Sequence, residues 1–193
     1  MPPKSPLASL VSGRERFYYA LLVFFSLIFY AGLVGVFMIA PPETLVSFVY
    51  IPVVAAAFWM THGLMIGRLR GNGVRVSPRQ FPTLYRIAAE HAKTLGIKRL
   101  PDVFVLEAGG LLNAFATRFL GRDFVVIYSD VLAMAEMRGE AAVGFIVAHE
   151  LAHIRRGHLR NRWLTLPGRF VPYLGAAYSR ACEYTCDRFG AHC

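Results

Sequence analysis

Residues 149–153 read HELAH, two histidines four apart with a glutamate directly after the first. On a helix this spacing sets His149 and His153 one turn apart on one face, where both imidazoles reach a single ion. It offsets Glu150, which can then lie beside a metal-bound water without being a ligand. The chemistry is zinc-assisted hydrolysis with a carboxylate base. A shuffled chain of this composition shows the pattern about once in 130 cases, so it weighs far more than a lone histidine. A catalytic zinc site also takes a third protein ligand and keeps one position open. Residues 179–190, SRACEYTCDRFG, offer Glu183 as an anionic third ligand, and Asp187 one turn later as an acceptor for an imidazole N–H. Taken alone, these two carboxylates read as a solvated helix face.

Other reactive side chains have plainer readings. His158 follows His153 by five residues, past the ligand face and inside the basic run RRGHLRNR, and reads as a surface or headgroup-contacting residue. Cys182 and Cys186 could join His192 in a soft metal site, but isolated thiols on a partly buried helix are commoner. His91 reads as a core residue, and Arg180 as either a salt-bridge partner or a substrate contact.

The elements that must position these groups follow from periodicity. The preceding AAVGFIVA makes the motif part of a helix from about Gly139 to Gly157. Residues 81–97 place Leu84, Ile87, Ala88, His91 and Leu95 on one helical face, closing near Gly96. Strands are expected at 102–107, at 111–120 as an edge segment and at 124–129, followed by a helix from Asp130 through Met137. Trp163 to Tyr178 is apolar but carries two prolines and Arg169, and reads as a buried or interfacial hairpin.

Ahead of this domain lie two long uncharged runs, Phe17–Ile39 and Leu45–Gly67. About 20 such residues cross a hydrocarbon core as a helix, and each run exceeds that length. Lys4, Arg14 and Arg16 precede the first run, and Arg68, Arg70, Arg75 and Arg79 follow the second, while the loop between has neither Lys nor Arg. The distribution of basic residues predicts a multi-pass cell-membrane protein with both termini and the domain after residue 68 cytoplasmic. His62, near the cytoplasmic end of the second run, reads as a neutral interfacial histidine. The 193 residues allow one domain besides these spans; 55% are apolar and 17% charged, with mean hydropathy +0.44, which excludes a mainly disordered chain. The net charge of +9 suits anionic headgroups better than nucleic acid, for which no recognised module is present. Three cysteines are too few for a disulfide framework and fit a reducing compartment.

Three segments together, NAFATRF from Asn113, HELAH from His149 and SRACEYTCD from Ser179, resemble the HtpX-type membrane zinc metallopeptidases, gluzincins related to the CAAX prenyl proteases. The resemblance covers about residues 72–193. It implies an α+β zincin-like metallopeptidase domain over 72–193, after a cytoplasmic tail at 1–16 and a transmembrane helical hairpin at 17–67. It further implies one Zn2+ per chain on His149, His153 and Glu183, with Glu150 as catalytic base and Asp187 supporting an imidazole ligand. Asn113, Ala114 and Phe115 would flank an active-site edge strand to which an extended substrate adds, with Arg180 a further substrate contact. The implied activity is endoproteolysis of membrane or unfolded proteins from the cytoplasmic side. Relatives often carry two further spans between the motif and the third ligand, where only the stretch from Ile154 to Cys182 stands here, and they usually continue further past that ligand. A truncated domain lacking an oxyanion donor is therefore an expectation, and a membrane-anchored chaperone-like or binding protein with a structural or vestigial zinc site is the alternative reading. The sequence sets neither the oligomeric state nor the natural substrate.

Overall fold

Largely uncharged residues with nothing to interrupt their hydrogen-bond ladder form a long helix, α1 (Gly13–Ile39), in the computed structural model, which describes residues 6–107, 109–160 and 162–193. Lys4 of the basic tail lies outside the described residues. A helical turn at Pro42–Leu45 and a 3-10 turn at Val46–Val49 lead into α2 (Tyr50–Asn72). Both α1 and α2 are long and apolar enough to cross a membrane. Phe24, Phe29, Phe58 and Trp59 each leave more than half their surface uncovered, a continuous apolar exterior that water does not favour.

The second helix corrects the expected run at 45–67. Its regular α-helical part starts at Tyr50 and continues through the polar Arg68–Asn72 stretch. The reason is tertiary: Ile66 and Leu69 are buried against Phe104, Phe124 and Val126 of a sheet, so the end of the helix serves the domain rather than a membrane. His62, one turn before Ile66, stacks on Phe119 with ring centroids 5.4 Å apart.

The sheet has four strands, β1 (Val74–Arg75), β2 (Asp102–Leu106), β3 (Ala114–Phe119) and β4 (Arg122–Tyr128), in the order β1-β2-β4-β3. Strands β2 and β4 are parallel, and the other two pairs are antiparallel. The apolar run FVVI of β4 is buried throughout because both faces of the sheet are covered. Val103, Val105, Val125 and Ile127 face a core shared with α3 (Pro82–Thr94), α4 (Ser129–Met137) and α5 (Glu140–Arg156), while Phe104, Phe124 and Val126 face α2. Edge strand β3 is tied to β4 by a two-residue turn, Leu120–Gly121, with φ of 46° and 78°, the backbone of a type I′ hairpin.

The expected hairpin over 163–178 is not an independent unit. Helical turns at Arg162–Thr165 and Pro167–Phe170 lie along α1, and from Leu174 the chain already belongs to α6 (Leu174–His192). Gly168 donates its N–H to Ser26 Oγ at 2.9 Å, and Tyr30 donates its hydroxyl to the Trp163 carbonyl. The approach is close enough to require glycine, since a Cβ at 168 would lie 2.4 Å from the Leu22 carbonyl oxygen. The segment thus packs on the same helix whose outer face is bare and apolar.

Candidate metal centre

Helix α5 is the axis of the domain. Val147, Ala148, Leu151 and Ala152 are fully buried beneath the sheet, and the face that meets α6 presents His149 and His153. The small residues of that helix permit tight packing, and Cys186 and Phe189 of α6 join the same core. This packing brings together groups that are far apart in the sequence. His149 Nε2 lies 3.1 Å and His153 Nε2 3.6 Å from Glu183 Oε2, and the imidazole centroids are 5.2 Å apart. Asp187 Oδ1 lies 3.0 Å from His149 Nδ1. The three expected ligands and the expected acceptor therefore converge.

These donors fit a cation. A carboxylate only accepts hydrogen bonds, so Asp187, 3.0 Å from His149 Nδ1, favours the tautomer with the proton on Nδ1 and a lone pair on Nε2. That lone pair faces the Glu183 carboxylate, and two acceptors at 3.1 Å repel unless a proton or a cation lies between them. One metal ion can satisfy His149, His153 and Glu183 together, whose ligand atoms all lie within 4.8 Å of one another. Burial by itself would lower His149, but Glu183, Glu150 and Asp187 outweigh it and raise it. The contacts with the His149 and His153 imidazoles hold Glu183 well below the carboxylate range, against its own desolvation.

Glu150 lies on the sheet side of these ligands with 7% of its surface exposed. Burial pushes its carboxyl above the usual range, opposed by the neighbouring charges of His153 and His149 and by a hydrogen bond from the Ala116 backbone. That bond fixes the orientation of the edge strand. The Asn113 carbonyl accepts from Tyr128 N–H towards β4, so by strand alternation the backbone groups of Ala114 and Ala116 face outward. They border a cleft of 360 Å³ whose opposite wall is Tyr178 and Glu183 of α6, with Arg162 and Arg169 at its end. Asn113 and Phe115 line the same cleft, whereas Arg180 lines a different groove with Ser12 and Arg14.

The structure overturns the reading of His158 as a surface residue. Its side chain is 8% exposed, with Nδ1 3.0 Å from His153 Nδ1 and Nε2 3.1 Å from Glu15 Oε1. Helix α5 ends at Gly157 in the left-handed region, φ 74°, where His158 N–H bonds the His153 carbonyl and Gly157 N–H that of Ile154. This Schellman closure turns the chain back and carries His158 beneath His153. The glycine beside His158 was the readable signal; Glu15, near the opposite end of the sequence, left none. Burial, opposed by Glu15, lowers His158. Cys182 and Cys186 are buried as expected, the Cys182 thiol pushed up to about 12 by desolvation, and His192 is exposed. His91 is half-buried, with Nε2 directed at Gly144 of α5, and burial lowers it.

No curated protein matches the chain. Residues 78–171 match the family model described as Peptidase family M48, a segment that ends before Glu183. That segment holds the edge strand together with His149, Glu150 and His153, and over these residues the chain is similar to that family.

Proposed function

We propose that the chain is an integral membrane zinc endopeptidase of the HtpX type, a zincin-like domain carried on an N-terminal helical hairpin. The observation that carries this reading is the convergence of His149, His153 and Glu183 beside the buried Glu150 at an open sheet edge. A Zn2+ on these three ligands supplies a Lewis acid that brings the pKa of a bound water towards about 7 and polarises a carbonyl. Glu150, raised by burial, takes a proton from the attacking water and returns it to the departing amine. Asp187 holds the His149 ring and its tautomer. The outward backbone groups of Ala114 and the Ala116 carbonyl receive an extended peptide as a further strand, with Asn113 and Phe115 at the strand entrance.

A zinc ion held by these three residues would keep a position for water, as a catalytic site needs, whereas structural zinc takes a fourth protein ligand. Helices α1 and α2 cross the bilayer with their Arg14, Arg16, Arg68 and Arg70 flanks on the cytoplasmic side, against anionic headgroups. Substrates are then membrane or unfolded proteins reached from that side. The test is proteolysis of a labelled unfolded protein by the detergent-purified chain after metal removal by a chelator. Cleavage should disappear and return with about one Zn2+ per chain, the stoichiometry of a single catalytic site. Undiminished cleavage by metal-free protein would contradict the reading.

A further inference from the structure

The two imidazoles of the metal centre are supported differently. His149 has a carboxylate directly on Nδ1, at 3.0 Å from Asp187. Among the described residues no carboxylate meets Nδ1 of His153, which faces a second imidazole, and a carboxylate stands behind that one, on a helix from the other end of the chain.

We propose that His158 and Glu15 are positioning residues for His153, forming a carboxylate–imidazole–imidazole chain that fixes the tautomer of the metal ligand and ties the metal centre to the first apolar helix. The assignment rests on the metallopeptidase reading and follows from donor and acceptor inventories. Glu15 Oε1 only accepts, so the nitrogen 3.1 Å away, His158 Nε2, carries the proton. A metal held through His153 Nε2, the atom that faces Glu183, would take the lone pair there, so His153 Nδ1 carries the proton and donates to His158 Nδ1 at 3.0 Å. Every link has one donor and one acceptor, with Glu15 at one end of the chain and the metal at the other.

The surroundings fit this role. Glu15 is 4% exposed in the first turn of α1, a position where a carboxylate without partners would be strongly disfavoured. Arg156 donates to the same oxygen through Nη2 at 2.8 Å and Nε at 3.1 Å, balancing the charge. That guanidinium also argues against a second metal ion among Glu15, His158 and Cys182, although their ligand atoms lie close together. Such an ion would sit beside a fixed cation and would need a thiolate from a thiol that burial keeps protonated.

The test compares His158→Phe with His158→Asn in the full chain in detergent. Asn places a carbonyl oxygen where His158 Nδ1 accepted, whereas Phe fills the space and accepts nothing. Zinc affinity by competition with a chromophoric chelator, the visible spectrum of the Co2+-substituted protein and the melting temperature of the metal-free protein are read together. His158→Phe should bind zinc about 10–100-fold more weakly, with a shifted Co2+ spectrum. His158→Asn should recover to within about threefold of the unmodified chain and restore the spectrum, since the hydrogen bond returns. Glu15→Ala should weaken zinc binding in the same direction. Zinc affinity of His158→Phe within about threefold of the unmodified chain would overturn the proposal, as would equal losses in both His158 variants that track a lower melting temperature. If the unmodified chain binds no zinc, the metallopeptidase reading fails and this role fails with it.

Discussion

Glu183 and Asp187 sit on α6 with more than half of each side chain exposed, while the imidazoles they serve are 16% exposed. The site is therefore a buried histidine face met by carboxylates from an open wall, and its residues divide by what can be read from local spacing. His149, Glu150 and His153 are legible because a single helix sets their relation. Glu183 and Asp187 are legible only once a metal is assumed, since an exposed acidic pair one turn apart is an ordinary helix surface. Glu15 and His158 are illegible as a pair, because their contact depends on how α1 docks on the domain. Asp187→Ala tests the direct support of an imidazole. Freed of its acceptor, His149 can turn or change tautomer, and zinc affinity should fall about 10–100-fold while the metal-free melting temperature holds. Affinity unchanged under chelator competition would remove Asp187 from this role.

The elements show why boundaries fail where existence succeeds. The helix of the motif, the β4 strand and the helix at Pro82–Thr94 follow the expected periods, because their apolar faces meet one core. The shift of the second apolar helix to Tyr50–Asn72 comes from Ile66 and Leu69, whose burial partners lie on strands far along the chain. The segment at 163–173 is shaped by α1, through Ser26, Leu22 and Tyr30, rather than by its own sequence. Helix α5 offers the sharpest test at this scale. Gly157 is left-handed with φ 74°, and its Schellman closure positions His158. Gly157→Ala should cost about 1 kcal/mol of stability, since a Cβ disfavours that backbone. It should also weaken zinc binding by disturbing His158, whereas unchanged stability in chemical denaturation would show that the turn tolerates a side chain.

At the scale of the molecule, the two apolar helices grip the domain at different places. Helix α1 packs on α6 through Leu22, Tyr178 and Cys182, and α2 packs on the sheet through Ile66 and Leu69. Phe37 of α1 meets Phe48 of the 3-10 turn that leads into α2. Domain and hairpin are thus one unit, and the chain docked along α1 lies beside apolar surface that a bilayer would cover. The two tryptophans report on this separately, because Trp59 lies in α2 and Trp163 in the segment beside α1, 60% and 69% exposed. In vesicles containing brominated lipid, Trp163→Phe leaves Trp59 as the sole reporter and Trp59→Phe leaves Trp163. Both should be quenched. Quenching of Trp59 alone would place the Trp163 segment outside the lipid, and quenching of neither would contradict the membrane reading.

In the proposed mechanism Glu150 moves the proton beside a metal that it does not ligate, and Glu150→Gln separates those two roles. Gln keeps the size of the side chain and removes the base, so zinc content should stay at about one per chain while cleavage of an unfolded protein falls by about 10²–10⁴-fold. A Glu150→Gln chain that holds zinc and cleaves as fast as the unmodified protein would contradict the account.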